Sequence, residues 1–204
     1  MKNINMDKVP SYIRRKKIKL FEILTTLYSK LVSRYWGVVL GGNCKFHGKI
    51  VFFRAKEAEI YIGKGCRFRS GFLTNFIGIN RPCSIAAMKP NSKIEIGNNC
   101  GFSGTVIAAS EHIKIGDNVM CGGNVTITDT DFHGISTDTR NSSGLSHPVI
   151  IEDNVWLGLN VVVLKGVTIG QGSVIAVGSV VNKSIPINVV AGGIPAVVIK
   201  KINH

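Results

Sequence analysis

Residues 151–181 read IEDNVWLGLNVVVLKGVTIGQGSVIAVGSVV. Aliphatic side chains recur at every sixth position of this stretch, at Ile151, Leu157, Val163, Ile169, Ile175 and Val181. A second set of small or aliphatic residues follows four positions after each of the first five, at Val155, Val161, Val167, Ser173 and Ser179. A period of six matches neither a helix face nor an alternating strand. It predicts a short strand followed by a tight corner, repeated along the chain.

Weaker copies of the pattern extend upstream through Ile115, Cys121 and Ile127, with isolated pairs at Ile62 and Phe68 and at Ile96 and Phe102. Glycine often follows the aliphatic directly, and we interpret it as the residue that turns the corner, because glycine has the widest backbone freedom. Three six-residue units make one triangular coil, and stacked coils pair at the usual strand spacing of about 4.8 Å. Each coil needs a neighbour to bury its inner side chains, so the sequence predicts an all-β solenoid.

Two segments interrupt the period. Residues 128–148 read TDTDFHGISTDTRNSSGLSHP, a polar insertion that we predict to be a loop on one face of the solenoid. Loops on rigid scaffolds often carry function, so this loop is the first place to look for a site. Residues 182–198 contain two prolines and a Gly-Gly pair and are expected to end the stack.

The N-terminal segment, residues 1–40, has a different pattern. Apolar residues at helical spacing predict an amphipathic helix over residues 9–36, through Ile13, Leu20, Leu24, Leu27, Leu31 and Tyr35. Nine Lys and Arg residues stand against Asp7 and Glu22 here, which is seven of the +13 net charge of the chain. One interpretation packs the helix on the main domain or on a partner subunit; the alternative is peripheral association of residues 9–36 with a membrane surface. Charged residues within residues 18–40 argue against a spanning helix. Residues 41–204 are expected to form the repeat domain.

The cysteines and the charge distribution argue against several classes of protein. Five cysteines, an odd number with no CxxC spacing, argue against a disulfide framework and against a zinc site. Cys66, Cys100 and Cys121 fall at inward repeat positions and are expected to pack as small apolar residues. Free thiols and the absence of a signal-peptide pattern predict a cytoplasmic location, or the inner face of the membrane if the helix binds lipid. No nucleic-acid-binding motif accompanies the basic charge, so no nucleic-acid partner is expected.

Residues 149–202 contain the runs DNVWLG, at 153–158, and AGGIPAVVIK, at 191–200. These motifs resemble the hexapeptide-repeat acetyltransferases, especially the galactoside and maltose acetyltransferases and the O-acetyltransferases of bacterial polysaccharide synthesis. The resemblance implies a left-handed parallel β-helix, a homotrimer with active sites between subunits, and acetyl-CoA as donor, without a metal. It also implies His133 as general base on the interrupting loop, with VTIT before the loop and Arg140 seven residues after the histidine.

The resemblance also assigns binding residues. Asp131, Arg140 and Ser103 are candidates for holding the acceptor; the alternatives are that Asp131 orients the His133 ring and that Arg140 braces the loop through an ion pair. The sugar enzymes use an asparagine from the coil below the loop, and the corresponding residues 101–104 contain none, so Ser103 is the candidate substitute. Positions matching the coenzyme A groove are Trp156, Gly158, Leu159, Val177 and Gly178 for the pantetheine arm, and Lys183 and Lys200 for the phosphates. A neutral imidazole can accept a proton from an alcohol near neutral pH, which makes a weak nucleophile reactive.

The function that follows is acetyl-CoA-dependent O-acetylation of a small sugar-like acceptor, directly in a ternary complex, in cell-surface polysaccharide modification. Acetylation of an antibiotic is the main alternative, and N-acetylation of an amino sugar is another. A metal-dependent β-helix enzyme similar to the γ-class carbonic anhydrases would need three histidines at set spacings in the coils. His112 and His133 are not arranged in that way, so a metal enzyme is disfavoured.

Overall fold

The computed structural model describes residues 8–71 and 74–203, with side chains from residue 16 onward. Residues 1–7 of the basic segment, and the side chain of Ile13, lie outside this description. Helix α1 spans Lys8–Tyr35. The strands follow in chain order: β1 (Val39–Leu40), β2 (Lys45–His47), β3 (Val51–Arg54), β4 (Glu59–Ile62), β5 (Arg67–Arg69), β6 (Ser84–Ala87), β7 (Lys93–Ile96), β8 (Gly101–Ser103), β9 (Val106–Ala109), β10 (His112–Ile115), β11 (Met120–Gly123), β12 (Thr126–Thr128), β13 (Val149–Ile151), β14 (Trp156–Leu157), β15 (Val162–Val163), β16 (Thr168–Ile169), β17 (Val174–Ile175), β18 (Val180–Val181), β19 (Val189–Gly193) and β20 (Ala196–Lys201).

Every third strand joins the same sheet, so the chain winds as a triangular prism. Face A has the order β1-β4-β7-β10-β13-β16, face B the order β2-β5-β8-β11-β14-β17-β19-β20, and face C the order β3-β6-β9-β12-β15-β18. Pairing between successive coils is parallel and in register; for example, Ile151 lies opposite Ile115 on one side and Ile169 on the other. The predicted left-handed parallel β-helix with an N-terminal helix is confirmed.

The six-residue pattern correctly identified the core of the prism. All six aliphatics of residues 151–181 are fully buried. In the first three coils, Phe46, Phe68 and Phe102 stack inside the prism with ring centroids 4.9 and 5.0 Å apart. The five cysteines are free and buried, and Cys66, Cys100 and Cys121 pack in the core as predicted. A hydrogen bond with the side chain of Cys100, together with burial, raises the pKa of Cys66 to about 12, so this thiol stays protonated.

The interpretation of the glycines that follow the aliphatics is wrong. Residues with positive φ lie two positions further on, as at Asn99 (φ 57°) and Gly65 (φ 74°). Gly63 and Gly97 have no positive φ and are needed for a different reason. A Cβ on Gly63 would lie 2.5 Å from the carbonyl oxygen of Gly97 in the next coil. Close stacking of the corners therefore selects glycine at these positions.

Helix α1 packs across the open end of the first coil, but not through its leucines. Thr25 and Thr26 form hydrogen bonds with the exposed edge of β2: Thr26 Oγ1 accepts the Phe46 N–H at 3.0 Å, and Thr25 Oγ1 contacts the Phe46 carbonyl at 2.5 Å. Ser29 and Ser33 are buried on the same side of the helix. The predicted stripe at Leu20, Leu24, Leu27, Leu31 and Tyr35 is exposed instead. No helix in the described part of the chain is long and apolar enough to cross a membrane.

The two ends of the repeat pattern also differ from expectation. Between β5 and β6, residues 70–71 and 74–83 belong to an additional excursion that the period did not reveal. Beyond residue 182, β19 still adds a parallel strand to β17, and β20 then turns back antiparallel to close the end of face B.

Candidate active site

The polar loop leaves the prism where face C turns into face A. We call this edge the loop corner, formed by residues 110–111, 129–148, 164–167 and 182–184. Asp129 fixes the base of the loop: it is fully buried, and its two carboxylate oxygens accept the N–H groups of Ser110 at 2.7 Å and Glu111 at 2.8 Å. Asp129 therefore holds the loop to the preceding coil, and its carboxylate faces the backbone, away from any acceptor.

His133 lies in this loop with one ring nitrogen occupied. Its Nδ1 is 3.0 Å from the carbonyl oxygen of Arg140. A carbonyl only accepts hydrogen bonds, so in the neutral ring the proton is on Nδ1 and the lone pair is on Nε2. The side chain is exposed in the isolated chain. This tautomer leaves the Nε2 lone pair available to accept a proton.

The backbone immediately before His133 is strained and fixed by an ion pair. Phe132 has a φ of 63°, a left-handed conformation that is unfavourable for a large side chain. Next to it, Asp131 contacts Lys165 through both carboxylate oxygens at 2.5 Å. Both side chains are mostly buried, with 28% and 23% exposed respectively. Strained residues of this kind persist when their surroundings fix them, and they concentrate at functional sites.

The other predicted acceptor residues lie in two places. Arg140 is at the loop corner, where its guanidinium donates to the carbonyl of Ile135 at 3.0 Å and so braces the loop. The expected bracing thus occurs through a hydrogen bond to the backbone. Ser103 is buried at the end of β8, where face B turns into face C. Within one chain, Ser103 is therefore separated from His133 by the width of face C.

Most residues predicted for the coenzyme A groove share that same edge, which we call the BC corner, formed by residues 104–105, 124–125, 158–161 and 176–179. Trp156 is half exposed on face B, beside Gly158 and Leu159. Val177 and Gly178 lie in the next coil, and nothing lies within 4 Å of the position of a Cβ on Gly178. The backbone at this corner is therefore open to a long, thin ligand.

The two predicted phosphate-binding lysines are exposed, but within one chain they lie in different parts of the prism. Lys183 follows β18 at the loop corner, and Lys200 lies in β20 at the end of face B. Lysine ammonium groups suit phosphate as point charges. Among the side chains that the structure describes, no group of three His, Cys, Asp or Glu residues is placed to hold a metal ion.

Sequence reasoning missed two parts of the site. Lys165 gave no signal, because its partner Asp131 is 34 residues away in the chain. The second is the excursion between β5 and β6, described at residues 70–71 and 74–83, which lies against the BC corner. Arg81 anchors it by donating to the carbonyls of Gly104 at 3.0 Å and Asn124 at 2.7 Å. A Cβ on Gly123 would lie 3.4 Å from the side chain of Ile77 in the excursion and 2.7 Å from that of Leu159 in the predicted groove. The excursion therefore borders the groove.

A triangular parallel prism with a histidine loop at one corner defines a hexapeptide-repeat protein. Residues 148–183 match the family model described as a hexapeptide repeat of succinyl-transferase. A galactoside O-acetyltransferase from Lactococcus lactis is 42% identical over 143 residues, which cover 70% of this chain and 63% of the relative. A putative lipopolysaccharide biosynthesis O-acetyl transferase from Escherichia coli is 42% identical over 108 residues, 48% of this chain and 55% of the relative.

Among solved structures, a galactoside acetyltransferase in complex with coenzyme A is 30% identical, covers 85% of this chain and 69% of its own, and superposes with a TM-score of 0.54. The chain belongs to the hexapeptide-repeat acetyltransferase family. It spans less than two thirds of the length of the curated relatives named here, at 63% and 55%.

Proposed function

We propose that this protein transfers an acetyl group from acetyl-CoA to a hydroxyl group of a sugar or sugar-containing acceptor, with His133 as the general base. The observation that carries the proposal is the contact between Nδ1 of His133 and the Arg140 carbonyl, which leaves Nε2 as the free basic atom. The strained Phe132 and the Asp131–Lys165 pair fix the backbone that immediately precedes this residue.

The chemistry is a single displacement in a ternary complex. Nε2 of His133 takes the proton of the acceptor hydroxyl as its oxygen attacks the thioester carbonyl carbon. The carbon–sulfur bond breaks, and the imidazolium returns the proton to the departing thiolate. A positioned base of this kind contributes about 10²–10⁴-fold in rate.

The position of the predicted residues supports a homotrimer. His133 is at the loop corner, whereas Trp156, Leu159 and Val177 are at or beside the BC corner of nearly the same coils. Six residues per face at about 3.3 Å each place the two corners on the order of 15–20 Å apart, too far for a base to reach a thioester bound at the other corner. A second prism beside the first, with its BC corner against the loop corner, brings the two sets together.

The family supports the class of acceptor. The named relatives include a galactoside O-acetyltransferase and a putative lipopolysaccharide O-acetyl transferase, so we propose an acceptor from cell-surface polysaccharide synthesis. Asp131, Arg140 and Ser103 remain the proposed acceptor-binding residues, and Trp156, Gly158, Leu159, Val177, Gly178, Lys183 and Lys200 the proposed donor-binding residues. The buried free thiols fit a cytoplasmic location for this reaction.

The test is thiol release from acetyl-CoA across a panel of mono- and oligosaccharide acceptors. We expect His133→Ala to lower kcat by about 10²–10⁴-fold, because it removes the base. His147→Ala is the matched control, since His147 is also exposed in the loop and its hydrogen bonds are made by its backbone: its N–H donates to the Asp129 carbonyl, and its carbonyl accepts the Gly166 N–H. Full activity in His133→Ala would show that another group is the base, and no thiol release with any sugar would contradict the proposed acceptor class.

A further inference from the structure

Helix α1 presents an uncovered apolar stripe to solvent. Leu20, Leu24, Leu27 and Leu31 lie on one side of the helix and are 58%, 57%, 57% and 67% exposed. Ile23 beside them is 48% exposed. Soluble proteins rarely leave a contiguous apolar surface of this kind without a partner.

The exposure of the stripe does not come from a loosely attached helix. On the opposite side, Thr25 and Thr26 form hydrogen bonds with β2, and Thr25 and Ser33 are buried. At the C-terminal end, the carbonyl of Trp36 accepts a hydrogen bond from Nε of Arg54 at 2.6 Å. The prism therefore fixes the rotation of the helix, and that rotation directs the leucines away from it.

The charges around the stripe have one sign. Lys16, Lys17, Lys19, Lys30 and Arg34 are exposed on the helix. Glu22 is the acidic side chain of the described part of the helix, and it faces the prism, where it contacts Lys45 at 3.3 Å and His47 at 3.4 Å. The outward side therefore combines leucines with cations and has no described carboxylate.

We propose that this stripe binds the surface of a membrane that contains anionic phospholipid, with the leucines among the acyl chains and the cations at the headgroups. An interfacial helix needs this combination of an apolar face and a basic border. A second copy of the chain fits less well, because pairing two such stripes about a two-fold axis would bring cations against cations. Negative lipid headgroups are attractive partners for each of these lysines instead.

The position of the helix suits this partner. Phe46 belongs to the first coil, yet it is fully buried, because α1 covers the end of the prism over it. The outer side of the helix therefore forms the base of the molecule. In the proposed trimer of parallel prisms, three bases would face the same way and contact one membrane together, which strengthens weak individual contacts.

The experiment is cosedimentation of the full chain with vesicles of phosphatidylcholine alone or with added phosphatidylglycerol. We expect binding to the anionic vesicles, weakened by salt, and a decrease of at least about tenfold in affinity for Leu24→Gln/Leu31→Gln, because each leucine loses its transfer into the apolar layer. The matched control is Ile187→Gln/Val197→Gln, which removes two exposed apolar side chains near the other end of the prism. This control should bind as the unmodified chain does.

Three outcomes would overturn the proposal: no binding of the unmodified chain to anionic vesicles, equal binding by Leu24→Gln/Leu31→Gln, or a loss shared by the control. A change in molecular mass of Leu24→Gln/Leu31→Gln in analytical ultracentrifugation would show instead that a second copy covers the stripe. Acetyl transfer to a soluble acceptor is measured in parallel, so that failure of membrane binding is distinguished from failure of the enzymatic proposal.

Discussion

At the scale of single residues, the candidate site depends on contacts that hold one imidazole. Asp131 was predicted as an acceptor-binding residue, and the structure shows its carboxylate occupied by Lys165. A partly buried pair next to the strained Phe132 has a clear mechanical role, because it fixes the backbone immediately before His133. If Asp131 binds the acceptor, its substitution should change the KM of the acceptor; if it positions the loop that carries His133, its substitution should change kcat.

If the pair positions the loop, Asp131→Asn and Lys165→Met should each lower kcat by about 10–100-fold with little change in the KM of the acceptor, since a small displacement of a catalytic group has a large effect on rate. The double variant should be no worse than either single variant, because both remove the same contact. Steady-state kinetics with varied acceptor measures this. An increase in acceptor KM in Asp131→Asn alone would show that Asp131 binds the acceptor directly.

At the scale of structural elements, the repeat period predicted the strands because the inward position of every rung must be apolar. The period could not predict which side of α1 meets the prism. Thr25 and Thr26 pack there because the unpaired edge of β2 needs hydrogen-bonding partners, and the small side chains of Ser29 and Ser33 allow the helix to approach closely. The pattern of leucines suggested the opposite side. The excursion between β5 and β6 was missed because its anchor, Arg81, contacts carbonyls more than 20 residues away.

The stacking of the corners gives a prediction at this scale. A Cβ on Gly97 would lie 2.6 Å from the carbonyl carbon of Gly116 in the next coil, whereas a Cβ on Gly101 would meet nothing within 4 Å. Gly97→Ala should therefore lower the free energy of unfolding by about 1–3 kcal/mol through overpacking. The matched control Gly101→Ala should stay within about 0.5 kcal/mol of the unmodified chain.

Urea denaturation measures the free energy of unfolding of both variants, provided that its slope against urea concentration is the same for each. If Gly97→Ala were as stable as Gly101→Ala, corner stacking would not explain the glycines, and backbone freedom would have to be reconsidered. Because neither residue has a positive φ, the comparison separates the two explanations directly.

At the scale of the whole molecule, the arrangement of the prism separates the proposed base, His133, from the proposed donor groove. The sequence placed His133 in a loop and the groove residues in the coils, but it could not show that they occupy different corners, because that depends on which face each rung joins. This separation is the reason to expect that each active site takes one corner from each of two subunits.

Subunit complementation tests this expectation. His133→Ala damages the loop corner, and Val177→Glu places a carboxylate at an exposed position of the BC corner; each homotrimer should be inactive. Heterotrimers purified through two different tags contain both variants, and in any cyclic order one of the three interfaces joins an intact loop corner to an intact BC corner. They should recover about one third of the activity of the unmodified trimer. A site built within one chain would recover none, because every chain in the mixture carries one of the two substitutions.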